Sequence, residues 1–152
     1  MTTKTHTLTD GWCRPLVIAV TPGQAGDSTQ LTALLAELRV ERPTGPPRTT
    51  PIALRGDKAY SSKAIRAMLR RRGITAVIPE PDDQKRNRAR RGSRGGRPVA
   101  LDVADYKNRN VVERGFNQIK QWRALATRYD KHALIFRGGV VLRAILVWLT
   151  TT

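Results

Sequence analysis

Two short runs rich in β-branched or apolar residues, Lys4 to Leu8 and Arg14 to Val20, flank the dipeptide Asp10-Gly11. Asp-Gly between such runs is a tight-turn signal, so the pair reads as a β-hairpin. The residues that follow have helical spacing. Asp27 or Ser28 can cap a helix carrying Leu31, Leu34, Leu35 and Leu38, which ends before Arg42-Pro43.

A Pro/Thr-rich linker from Arg42 to Pro51 leads into Ile52-Ala53-Leu54, a short buried strand whose exit carries Arg55-Gly56-Asp57. Ser61 or Ser62 caps the next helix, whose apolar stripe is Ile65, Met68 and Leu69, with Gly73 as its stop. Ile74 to Ile78 reads as another strand. From Glu80 to Pro98 the chain turns to charge, glycine and proline, and the seven basic residues from Lys85 to Arg97 leave almost nothing to bury. Residues 82–104 therefore read as a flexible basic loop. A helix from about Asp105 to Trp122 and a last one over roughly Leu134 to Leu149 complete an α/β pattern. With 152 residues the chain is expected to form a single domain, 1–152.

Charge narrows the partners. The 28 Lys+Arg against 12 Asp+Glu leave a formal net charge of +16, which points to a polyanion such as nucleic acid. The most apolar stretch, Ala133 to Leu149, carries Arg137 and Arg143 and reads as a core-packed helix, so no membrane partner is expected. Met1 to Asp10 is polar and Thr-rich, unlike a signal peptide, and the lone Cys13 offers no internal disulfide, so a cytoplasmic location is expected. His6 and His132 have no partner at metal-ligand spacing. Trp148 is expected to anchor the last helix to the core, and Trp122 to pack in the core.

Tyr106, Arg109, Glu113 and Lys120 carry the most specific pattern, with spacings of three, four and seven residues. On one continuous helix they would fall at roughly 0°, 300°, 340° and 320°, sharing one face. Val112, Phe116 and Ile119 would form an apolar seam directly beside them. Spacing alone also fits a solvated helix face with ordinary i,i+4 ion pairs.

Tyr-x2-Arg-x3-Glu-x6-Lys resembles the signature around the catalytic glutamate of insertion sequence four and five transposases. The blocks Gly56-Asp57-Lys58-Ala59-Tyr60-Ser61-Ser62 and Thr21-Pro22-Gly23-Gln24-Ala25-Gly26-Asp27 are similar to blocks of the same family. The resemblance runs from Thr2 to Trp148. It implies a ribonuclease-H-like fold in which two aspartates and a glutamate bind a pair of Mg²⁺ (or Mn²⁺) ions for DNA cutting and joining. Asp57 matches the second aspartate and Glu113 the glutamate, while Arg109 and Lys120 would contact the DNA backbone and Tyr106 would support the helix or stack near the strand. In the family the first aspartate lies on a strand upstream of the block resembling Thr2 to Val20. The expectation is thus a domain without its first strand, either a truncated reading frame or the second of two frames completed by frameshifting or by a partner chain, with an upstream transposase fragment or a homodimer as the expected protein partner.

The basic segment adds Arg88, Arg90, Arg91 and Arg94 as candidate contacts to DNA phosphate. Asp10 reads as a turn residue and Asp27 as a helix cap rather than as metal ligands. The competing function is a non-catalytic DNA-binding remnant. A basic structural protein would explain the charge but neither the four-residue signature nor the strand-end Asp57.

Overall fold

The computed structural model describes residues 3–127 and 132–150. Its architecture is mixed α/β, as expected, with two separate two-stranded sheets and helices around them. The chain divides into two compact units, 1–49 with 110–152, and 50–109.

The first unit is built on the hairpin. β1 (Thr3–Thr9) pairs antiparallel with β2 (Pro15–Pro22), with His6 opposite Ala19 and Leu8 opposite Val17. Asp10 organises the turn: its carboxylate accepts from the amides of Trp12 and Arg14 and from Arg14 Nε at 2.7 Å. This is the turn role read from the sequence. The chain then passes through Cys13 at φ 67°, a left-handed conformation that a residue with a Cβ seldom adopts.

Alternation along the strands gives the hairpin two apolar faces. On one, Val17 packs with Leu34 and Leu38, with Leu8 and Ala19 against them, so α1 (Asp27–Glu37) covers that side. On the other, Ile18 joins Ile119, Leu125, Phe136, Val140 and Ala144, contributed by α5 (Val111–Lys120), α6 (Arg123–Ala126) and α7 (Ala133–Thr150). Trp148 anchors α7, its Nε1 donating to the Pro15 carbonyl at 2.8 Å while the Arg14 guanidinium lies 4.2 Å from its ring centre. Trp122 instead stands at the start of α6 and is 38% exposed. α7 is long and apolar enough to cross a bilayer by length and composition, yet Phe136, Val140 and Ala144 are buried in this core and Val147 is buried along the same side.

The second unit holds β3 (Ala53–Arg55) and β4 (Thr75–Val77), paired in parallel as a strand–helix–strand connection requires, with α2 (Lys63–Arg71) between them in sequence. Ser62 caps α2, accepting from the Ile65 amide at 3.1 Å, and Gly73 at φ 67° ends it. Leu54, Ile65, Leu69, Ile74, Val77 and Ile78 are buried. Arg66 locks the end of β4, donating to the Ile78 carbonyl and to the buried Ser61 hydroxyl, each at 2.8 Å.

Three expectations change. The basic stretch contains a helix, α3 (Asp82–Arg90), followed by a 3-10 turn over Gly92–Gly95. Composition hides it because α3 buries no residue; Asp82 and Asp83 in its first turn and Arg88 and Arg90 in its last suit the helix dipole. The helix expected from Asp105 to Trp122 is three pieces: α4 (Val103–Lys107), a 3-10 turn over Asn108–Asn110, and α5. Asn side chains compete for backbone hydrogen bonds, which favours the tighter winding there. Finally, Asp27 does not cap α1. The N-cap is Gly26, and Asp27 in the first turn pairs with Lys4 at 2.9 Å and with His6 Nδ1 at 3.3 Å.

Candidate active site

Asp57 follows β3 directly, where the sequence puts it. Gly56 precedes it in a tight place, where an added Cβ would lie 3.3 Å from Tyr60 Cδ2. Asp57 then caps the 3-10 turn Lys58–Tyr60, its Oδ1 accepting from the Ala59 amide at 2.9 Å. The residue is exposed, and its other carboxylate oxygen has no hydrogen-bond partner among the described residues.

An ion pair that no sequence motif marks begins two residues before Asp57 in the chain. Arg55 Nε donates to Asp105 Oδ1 at 3.0 Å and Nη2 donates to the same oxygen. Asp57 lies two residues past Arg55 and Tyr106 one past Asp105, so this bridge joins the segments carrying them. Asp102 caps α4 through the Asp105 amide at 2.9 Å, and the Arg109 guanidinium sits 5.5 Å from the centre of the Tyr106 ring. A charge pair fifty residues apart in sequence has no local pattern to betray it.

Glu113 and Lys120 belong to the other unit, in the first and last turns of α5. An acid at the start and a base at the end both suit the helix dipole. Seven residues apart, they share a face and both are exposed. The one-helix arc of four residues does not hold, since Tyr106 is in α4, Arg109 in the 3-10 turn, and only Glu113 and Lys120 are on α5. The apolar seam is also rotated. Val111, Gly115 and Ile119 are the buried residues, which sets Glu113 well round from the packed side rather than next to it. Gly115 decides this: a Cβ there would approach the Cys13 carbonyl to 3.1 Å and Thr9 Cγ2 to 3.5 Å, so the hairpin lies against α5 where it has no side chain.

Of the four candidate phosphate contacts, Arg88 is occupied within the chain, since its Nη1 pairs with Glu80, whose side chain is 11% exposed. That bond raises the Arg88 pKa above its ordinary value. Arg90, which donates to Asn87 Oδ1 at 2.8 Å, is exposed, as are Arg91 and Arg94. His6, to which the sequence assigns no role, is 5% exposed, with Nε2 2.7 Å from Thr21 Oγ1; burial lowers its pKa, with Asp27 opposing the effect and Lys4 adding to it.

Carboxylates are the hard oxygen donors that Mg²⁺ and Mn²⁺ prefer, so Asp57 and Glu113 fit such an ion by donor type. Among the described residues no group of three or more His, Cys, Asp or Glu side chains is placed to hold a metal.

The chain thus combines a strand-end carboxylate, a helical carboxylate and a strongly basic composition in a mixed α/β architecture. The transposase DDE domain profile matches residues 1–148, and the chain belongs to that family, the DDE transposases of insertion sequences. It is 32% identical over 149 residues to a protein of Brucella ovis named as a transposase for insertion sequence element IS6501, covering 98% of this chain and 99% of that one. It is 30% identical over 145 residues to a Burkholderia cepacia protein named as a transposase for insertion sequence element IS402, covering 95% of this chain but 61% of that one. No solved structure matches it.

Proposed function

We propose that this chain is the carboxyl-terminal part of a ribonuclease-H-like transposase catalytic domain, binding DNA and supplying Asp57 and Glu113 to a metal-dependent strand-cutting and strand-joining centre. The observation that carries this reading is the exposed Asp57, fixed through one oxygen just past the end of β3, in a chain of the DDE transposase family whose segment around Glu113 resembles that family's glutamate signature. A divalent cation held by carboxylates activates a water or a DNA 3′-hydroxyl and stabilises the leaving oxygen of a phosphodiester. Around that chemistry, Lys120 and Arg109 would grip the DNA backbone, and Tyr106 would support Arg109 through its ring face. Exposed Arg90, Arg91 and Arg94 extend the phosphate-binding surface.

Two carboxylates are fewer than the three the family uses, and Mg²⁺ demands nearly octahedral coordination. The third would come from an upstream strand carried by the rest of the transposase. The test is nicking of supercoiled DNA in Mg²⁺ or Mn²⁺ by the chain joined to that upstream segment. Asp57→Asn and Glu113→Gln should each abolish nicking while DNA binding stays nearly intact. Full nicking by both variants would remove Asp57 and Glu113 from the catalytic centre, and no nicking by the joined chain itself would leave the non-catalytic DNA-binding reading instead.

A further inference from the structure

We propose that Trp12, in the turn between β1 and β2, is a stacking platform for an unpaired DNA base. Its side chain stands in the open: the residue is 71% exposed, against 38% for Trp122 and for Trp148. Burial is what a tryptophan ordinarily contributes to a fold, and here the chain forgoes it.

The backbone under the indole is fixed. The Cys13 amide donates to the Asp10 carbonyl at 3.4 Å and the Asp10 amide to the Arg14 carbonyl at 3.0 Å, closing a tight turn with Trp12 inside it. The Asp10 carboxylate accepts from the Trp12 amide itself at 2.9 Å. Cys13 then takes the left-handed conformation that such hairpin loops usually give to glycine. Its side chain is buried, and its carbonyl lies against α5 where Gly115 has no side chain. A turn tied by its own aspartate and seated on a helix keeps its place when a ligand arrives, so little ordering is left to oppose binding through Trp12.

Size and charge select the occupant. One exposed tryptophan offers on the order of 150 Å², whereas a specific protein contact buries about 800 Å² on each partner. The neighbouring Asp10, Gly11 and Arg14 add no apolar side chain to it. A single flat π-face matches one nucleobase. The net charge of +16 draws in the attached phosphates, and Arg114, one residue before the Gly115 seat, is an exposed cation on the same turn of α5. Bases inside a duplex have both faces covered by their neighbours, so the indole selects bases at strand ends, flaps or gaps. Such bases arise wherever DNA is cut and joined, so stacking on Trp12 rests on the function proposed above. Glu113 stands on the same turn of α5, two residues before Gly115 and about 160° round the helix. A strand with a phosphate at Glu113 therefore reaches the Trp12 turn across about one helix diameter, roughly 10–12 Å, or three to four nucleotide steps.

Fluorescence anisotropy with the whole 152-residue chain, without metal, tests this. The probes are an oligothymidylate of about 20 nucleotides and a duplex of the same length. Trp12→Ala should weaken binding of the single strand about five- to a hundredfold and of the duplex less than about twofold, with Trp12→Phe keeping most of the affinity. An unchanged single-strand affinity, or equal losses on the two DNAs, would overturn the stacking and leave the catalytic reading standing, whereas a wild-type chain that binds neither DNA would overturn both. Should Trp12→Ala fail to fold, acrylamide quenching of the wild-type tryptophan fluorescence decides: the single strand should shield the most exposed indole and the duplex should not. Equal quenching in the two complexes would overturn the stacking. So would an indole already shielded, without DNA, in the chain joined to its upstream segment, which would assign Trp12 to a protein contact.

Discussion

His6 shows how one side chain couples the hairpin to the helix beyond it. Buried on β1, it reaches Thr21 on β2 and Asp27 at the start of α1, while Lys4 shares the same carboxylate. Burial outweighs the pull of Asp27 and lowers its pKa. An unfolded histidine titrates near 6.5, so the native chain prefers the neutral ring. That preference stabilises the fold fully above about pH 6.5 and is lost as pH falls through the lower folded pKa. Urea melts between pH 7.5 and 5.5 should show the wild-type midpoint dropping and His6→Gln nearly flat; equal slopes would remove His6 from the account. At the same scale, Arg55→Ala breaks a half-exposed bridge and should cost about 1 kcal/mol in stability, with a larger loss of cleavage in the completed enzyme because the segments bearing Asp57 and Tyr106 loosen together. Cleavage unchanged within twofold would show that the bridge positions nothing.

Two glycines on neighbouring helices make opposite predictions at the scale of elements. Gly115 on α5 touches the hairpin, so Gly115→Ala should destabilise by about 1–3 kcal/mol through overpacking. Gly138 on α7 faces open space, so Gly138→Ala should stabilise by about 0.5–1 kcal/mol through helix propensity. Thermal unfolding at one protein concentration reads both, and the same sign for the two would contradict the packing described. The contrast also explains what is legible in the sequence. The β-branched and apolar runs around Asp10-Gly11, the Ser62 cap and the Gly73 stop are local signals, and the elements form where those signals lie. The packed face of α5 is not legible from apolar spacing, because an apolar count passes over glycine, and in α5 a glycine sets the contact. α3 reads as loop because it buries nothing, so no periodicity marks it. The place of Asp57 just past a strand is legible from the sequence, whereas the pairing of Arg55 with Asp105 needs the fold to bring them together.

For the whole molecule, the +16 charge predicts non-specific binding to duplex DNA that weakens steeply with salt, because bound Lys and Arg displace counterions. Replacing Arg90, Arg91 and Arg94 by Ala should flatten the dependence of log K on log salt by roughly one unit for each phosphate that is no longer neutralised. Arg88→Ala should alter it less, since that guanidinium is spent on Glu80. Equal effects from all four would mean that the arm is rearranged when DNA binds. The catalytic claim reaches beyond this chain, which spans nearly all of one relative and 61% of another. Its most direct test is metal-dependent cleavage of supercoiled DNA by the 152-residue chain alone and by the chain joined to an upstream strand bearing an aspartate. The account predicts no cleavage by the first and Mg²⁺- or Mn²⁺-dependent cleavage by the second, abolished by Asp57→Asn. Robust cleavage by the chain alone, lost on changing Asp10 or Asp27 and indifferent to Asp57, would contradict it.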